Sequence, residues 1–161
     1  MTNVPPVRVL IADDHQLFAE SLGLTLDIDD RLEVIGTAWN GKEAVRLAEE
    51  LRPDVILMDI EMPVLDGIEA TRAVRSLLPD CQVVVLTASL AVEDAHRARS
   101  AGAAAYLTKG CFIRDLIDAL LEVVLRTDPR KEETADTRGS RAPRAAGRSR
   151  PLLQSRALST H

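Results

Sequence analysis

Asp59 follows an apolar run, Val55 to Met58, and residues able to do chemistry hold the same place after three other runs. These are Asp13 and Asp14 after Val9 to Ala12, Thr87 after Val83 to Leu86, and Lys109 after Tyr106 to Thr108. If the runs are parallel strands, their carboxyl ends share one rim, where three carboxylates, a hydroxyl and an ammonium meet. Converging carboxylates repel one another, so a cleft that keeps them ionised calls for a cation. Hard oxygen ligands, without His or thiolate, suit Mg²⁺ or Mn²⁺, and Mg²⁺ keeps waters that a phosphate oxygen can displace. The set has the makings of a metal site that receives a phosphoryl group.

Phosphoryl transfer needs a nucleophile, a metal to spread charge, and donors to hold the remaining oxygens. Asp59 is the candidate nucleophile because it is central if its strand lies beside the first. Lys109 offers a compact positive charge and Thr87 a hydroxyl donor. Each residue also has a plain structural use. An acid entering a helix caps it, Asp59 can serve a turn before Glu61, Met62 and Pro63, a strand-end lysine can be solvated, and threonine favours β structure. Their common location is what favours chemistry.

The elements that must position them are legible in the hydrophobic pattern. Strands are predicted at Val7 to Ala12, Leu32 to Ala38, Val55 to Met58, Gln82 to Thr87 and Ala103 to Thr108. Three are unbroken Val, Ile and Leu runs, as expected of parallel strands covered on both faces. Helical stripes lie between them: Phe18, Leu22, Leu26; Ala44, Leu47, Ala48, Leu51; Ala70, Val74, Leu77; and Ile113, Leu116, Ile117, Leu120, Val124. The connection Ala91 to Ala101 has only Val92 and alanines to bury, which makes it the element most apt to move. Five strand–helix pairs with short connections define a doubly wound α/β domain over 7–128, after an extension over 1–6.

The chain has 161 residues, 46% of them hydrophobic and 28% charged, which suits a globular domain with an appendage. No apolar stretch nears the roughly 20 residues of a membrane span, and Met1 to Pro6 lacks a signal-peptide pattern, so a cytoplasmic location is expected. Cys81 would precede its strand and Cys111 follow another, at opposite edges of the sheet, so both read as free, inert thiols. Residues 1–128 hold 12 Lys and Arg against 22 Asp and Glu, whereas 129–161 hold 8 against 3. The body is acidic and the tail basic, and the tail's Arg, Ala, Ser, Gly and Pro without periodicity predict disorder.

The strings VLIADDHQ, DVILMDIEMPVLDGIEA, VVVLTAS and AGAAAYLTKG, in that order, resemble the receiver domain of two-component response regulators. The resemblance implies a flavodoxin-like five-stranded parallel sheet in the order 2-1-3-4-5 with helices on both faces. By that likeness Asp59 accepts a phosphoryl group from a phosphohistidine on a sensor histidine kinase or phosphotransfer protein, and the chain is a signalling phosphoacceptor rather than an enzyme. Asp14 and Asp59 would bind Mg²⁺ directly, Asp13 mainly through water, and Glu61 through its backbone carbonyl. Lys109 would pair with the phosphoryl group and Thr87 swing towards it. Tyr106 would rotate inward and change the face made by the fourth helix, fifth strand and fifth helix, through which two phosphorylated copies can pair. Glu61 and Ser89 would tune how fast water removes the phosphoryl group.

The wording ADDHQLF most resembles the subfamily that carries a LuxR-type helix-turn-helix domain. Such a module needs roughly 60 residues with apolar helical faces. The 33 residues after position 128 lack these faces, so sequence-specific DNA binding by this chain is not expected, and a truncated regulator is an alternative. The basic tail could still meet phosphates or an acidic protein surface. A Mg²⁺-dependent phosphohydrolase would need a water-activating group and a lid, and a flavin binder a Ser, Thr and Gly-rich first loop; neither is present. Asp66 and Gly67 read as a turn and helix start. His15, His96 and His161 show no ligand spacing, and Trp39 is unexpectedly large for its place before Asn40 and Gly41.

Overall fold

Alternate residues of β3 (Val55–Met58) enter two different cores: Ile56 and Met58 face one side of the sheet, Val55 and Leu57 the other. This is the physical reason for its unbroken apolar run. The computed structural model describes residues 4–128. Its remaining strands are β1 (Val7–Ala12), β2 (Leu32–Ala38), β4 (Gln82–Thr87) and β5 (Ala105–Thr108). All pair in parallel, in the order β2-β1-β3-β4-β5. Helices α1 (Gln16–Leu26) and α5 (Ile113–Leu125) cover one face, with Leu22, Leu26, Leu116 and Leu120 in its core. Helices α2 (Gly41–Leu51), α3 (Gly67–Leu77) and α4 (Val92–Ser100) cover the other, through Ala44, Ala48, Ile68, Val74 and Ala98.

Three expectations need correction. The α3 stripe does not end on Leu77, which is 51% exposed; Leu78, just past the helix, turns in and is buried instead. Its backbone leaves the helical region there while its N–H still donates to Val74 O, so the side chain swings onto the sheet. Val92 is 68% exposed, and Ala98 is the buried residue of α4, which leaves that helix anchored even more weakly than its composition suggests. The last strand begins at Ala105 rather than Ala103 because Ala103 is spent on closing α4. Its N–H donates to Ala98 O and that of Gly102 to Arg99 O, with Gly102 at φ 103 supplying the left-handed turn.

Cys81, before β4, and Cys111, after β5, are both free. Among the described residues no helix is long and apolar enough to cross a membrane. The tail over 129–161, with Leu152, Leu153 and His161, lies outside the described residues.

Candidate functional site

The strand ladder itself aims the acids. Ala12 of β1 pairs with Met58 of β3, and the pairing continues one residue further: Asp59 N–H donates to Ala12 O at 2.9 Å and Asp13 N–H to Ala38 O at 3.0 Å. Lys109 N–H likewise donates to Thr87 O at 2.9 Å, so the first residue past β5 is as firmly placed. Behind Asp59, Asp66 caps α3 by accepting from Glu69 N–H, and Gly67 N–H donates to Ile60 O at 2.8 Å. A Cβ on Gly67 would fall 1.8 Å from Asp59 O, so only glycine lets α3 start this close to the acid.

Asp13 and Asp59 are buried, at 3% and 4% exposure, while Asp14 is open to solvent. One ligand atom from each of Asp13, Asp14, His15 and Asp59 lies within 4.8 Å of all the others. Lys109 Nζ is 2.6 Å from Asp13 Oδ2 and 3.3 Å from Asp59 Oδ2, and sits over the Phe18 ring at 4.5 Å. Asp59 Oδ1 accepts from Ile60 N–H at 2.9 Å. Burial, with the nearby Asp13 charge, raises the Asp59 pKa above the usual carboxylate value against the lowering pull of Lys109. Burial works against the Lys109 ammonium, but its hydrogen bond to Asp13 and the charges of both acids outweigh it and hold its pKa above the ordinary value. One ammonium therefore serves two buried carboxylates, with Asp14 a third negative group beside them.

The other predicted residues are placed differently. The hydroxyl of buried Thr87 is turned to the following loop, where its Oγ1 accepts from Ser89 N–H at 3.2 Å. Ser89 is a junction: its Oγ donates to Asp94 Oδ2 at 2.5 Å, and its carbonyl accepts from Tyr106 OH at 3.2 Å. Glu61 is an exposed residue in the loop between β3 and α3, and His96 is exposed on α4. Trp39 is partly exposed at the end of β2, and its N–H donates to Glu43 Oε2.

Two residues of the site were not legible as such. Phe18 reads as a core stripe residue, yet its ring carries the lysine. His15 shows no ligand spacing in the sequence and is exposed, but its Nδ1 is 3.3 Å from both Asp13 Oδ1 and Asp14 Oδ1. It is the N-cap of α1 without a side-chain cap bond of its own, and its backbone N–H donates to Asp13 Oδ1 at 2.8 Å. Adjacency to the acid pair was the available signal. A cavity of about 270 Å³ opens at the opposite rim, between Arg52, Asp54, Leu78 and Cys81. The space below the acids, among Asp13, Phe18, Leu22 and Asp59, leaves no room for a water, so the chemistry faces outward from the rim.

Residues 9–121 match the family described as the response regulator receiver domain. The chain belongs to this family. The receiver is 39% identical over 117 residues to the response regulator GacA of Pseudomonas aeruginosa, covering 73% of this chain and 55% of that protein. It is 42% identical over 114 residues to the transcriptional regulatory protein LiaR of Bacillus subtilis, covering 71% of this chain and 54% of that one. The chain thus spans about half the length of the curated relatives it matches. Among solved structures, the signal receiver domain of the NarL response regulator of Mycobacterium tuberculosis superposes with a TM-score of 0.71 at 33% identity, covering 74% of this chain and 96% of that one. The doubly wound sheet of this receiver, with its buried acids at the carboxyl rim, is a flavodoxin-like fold.

Proposed function

We propose that this receiver takes up a phosphoryl group on Asp59 from a phosphohistidine of a sensor histidine kinase or phosphotransfer protein. A carboxylate oxygen of Asp59 attacks phosphorus as the P–N bond breaks, leaving an acyl phosphate on this chain and a protonated nitrogen on the donor. The observation that carries this is the charge balance at the rim: two buried carboxylates, a third beside them, and a single lysine between.

The same balance fits Mg²⁺ or Mn²⁺, because oxygen atoms within 4.8 Å of one another carry more negative charge than Lys109 neutralises. Asp13, Asp14, Asp59 and the Glu61 backbone carbonyl would hold the ion. When bound it spreads the charge of the phosphoryl oxygens. Ile60 N–H fixes the orientation of the Asp59 carboxylate, and Lys109, already 3.3 Å from Asp59 Oδ2, is placed to pair with a phosphoryl oxygen.

Thr87 is the switch. Donating its hydroxyl to the phosphoryl group disturbs the bond that Ser89 N–H makes to it, and Ser89 in turn holds Asp94 of α4 and the Tyr106 hydroxyl. The α4, β5 and α5 face then shifts between two packings, and its contacts in the cytoplasm, with a downstream protein or a second copy, are the output. The test is incubation with acetyl phosphate and Mg²⁺ followed by intact mass. Wild type gains one phosphoryl group and Asp59→Asn none; equal labelling of the two refutes the assignment.

A further inference from the structure

We propose that His15 is an additional ligand to the divalent cation of this site, and that its imidazole gives the receiver a preference for first-row transition metals such as Co²⁺ over Mg²⁺. The proposal rests on the reading of Asp13, Asp14 and Asp59 as the acids that hold the ion. Its own support is positional. The Nδ1 atom of His15 is 3.3 Å from Asp13 Oδ1 and 3.3 Å from Asp14 Oδ1. It belongs to a set of four ligand atoms that all lie within 4.8 Å of one another. Ligands on opposite sides of one ion, bonded at about 2.0–2.5 Å, are about 4–5 Å apart, so this set can share an ion with little movement.

The backbone keeps the imidazole there. His15 N–H donates to Asp13 Oδ1 at 2.8 Å, and the residue adopts an extended conformation at the head of α1, without a side-chain cap bond to occupy it. Its side chain is 70% exposed, so an ion can reach it from solvent. The polar contacts of the ring among the described residues are the two carboxylates that would be its fellow ligands.

The chemistry follows from donor type. An all-oxygen set suits Mg²⁺, which gives up its waters reluctantly and gains little from an imidazole. A set of three carboxylates and one imidazole binds Co²⁺, Ni²⁺ or Zn²⁺ more tightly, both through the nitrogen donor and through the general affinity order of these metals. His15 would thus decide which cation the acids recruit, while leaving Asp59 free to react.

Calorimetric titration of the full chain with MgCl₂ and with CoCl₂ tests this, on wild type, His15→Ala and His96→Ala, with Asp14→Ala as the probe of the acids. His15→Ala is expected to weaken Co²⁺ by about tenfold or more and Mg²⁺ by less than about threefold, as loss of a nitrogen ligand should. His96→Ala is expected to change neither, and Mn²⁺-loaded wild type should show nitrogen coupling by pulsed electron paramagnetic resonance that His15→Ala loses. Co²⁺ and Mg²⁺ affinities that are both unaltered by His15→Ala, or a Co²⁺ loss produced by His96→Ala alone, overturn the proposal and leave the acidic site standing. Failure of wild type to bind either metal, or binding that survives Asp14→Ala undiminished, overturns the underlying site as well.

Discussion

Replacing Lys109 by Met probes the role of charge at the rim, because the unbranched methionine keeps an apolar stem and loses the ammonium together with its contact over the Phe18 ring. Removing one member of a buried charge set costs about 3–5 kcal/mol when the other charges have nowhere to go. Here Lys109 is 15% exposed, and Asp59 can take up a proton or a metal, so a loss of about 2–3 kcal/mol is expected near pH 8 without metal. The sign of the pH dependence is fixed by Asp59. Its folded pKa is already raised by burial and the Asp13 charge, so its stabilising contribution is fully present below the unfolded carboxylate value and is lost as pH rises through the folded one. Deleting Lys109 removes an influence that lowers that pKa, moves the window upward, and makes the deficit grow as pH rises through the folded Asp59 value.

Mg²⁺ should then take over from the missing ammonium. At a concentration about 100-fold above its dissociation constant an ion that binds only the folded state adds about 2.7 kcal/mol, enough to recover most of the loss. The assay is urea denaturation of wild type and Lys109→Met, read by circular dichroism and by Trp39, the single tryptophan, with a chelator and with Mg²⁺. Equal midpoints without metal near pH 8, a deficit that is larger near pH 5, or no extra gain from Mg²⁺ in the variant would each refute the reasoning.

Three further perturbations probe the scaffold. Gly67→Ala puts a Cβ 1.8 Å from the Asp59 carbonyl oxygen, and should cost about 3 kcal/mol or more in urea denaturation or visibly displace the loop between β3 and α3 in a crystal structure. Ser89→Ala removes the 2.5 Å bond to Asp94, and should lower the protection of α4 amides in hydrogen exchange by about 1 kcal/mol while leaving α5 unchanged. Burial pushes the Cys81 thiol up to about 12, so iodoacetamide should modify the half-buried Cys111 first and reach Cys81 only through unfolding.

Most of the architecture could be read from the chain because parallel strands covered on both faces and helices covered on one leave different apolar periods. The bounds of β1, β2, β3 and β4 coincide with the runs that predict them. Where sequence reasoning failed, a local backbone choice overrode periodicity. Ala103 and Ala104 are apolar and lead into a strand, but Ala103 is needed for the left-handed closure of α4 at Gly102. Leu77 and Leu78 are the same residue type, and only the conformation past the helix end decides which one goes inside. At the site, the positions of Asp13, Asp14, Asp59 and Lys109 followed from strand ends. The contacts of Phe18 and His15 depend on rotamers and on how α1 leaves β1, which a pattern of residue types does not encode.

The contrast between the two helices flanking β5 explains why a signal at the rim would move one and spare the other. α5 buries Leu116, Leu120, Leu121, Val123 and Val124, each worth about 1.5–3 kcal/mol of transfer from water, so its displacement would cost on the order of 10 kcal/mol. α4 buries Ala98, and its start is tied by the Ser89 to Asp94 bond, of about 1 kcal/mol by itself. Coupling between two sites in a protein is typically about 1–3 kcal/mol. An effect of that size, entering where Ser89 N–H meets the Thr87 hydroxyl, is comparable with what holds α4 and far smaller than what holds α5. Tyr106, bonded to the Ser89 carbonyl, would go with α4 rather than with the helix behind it.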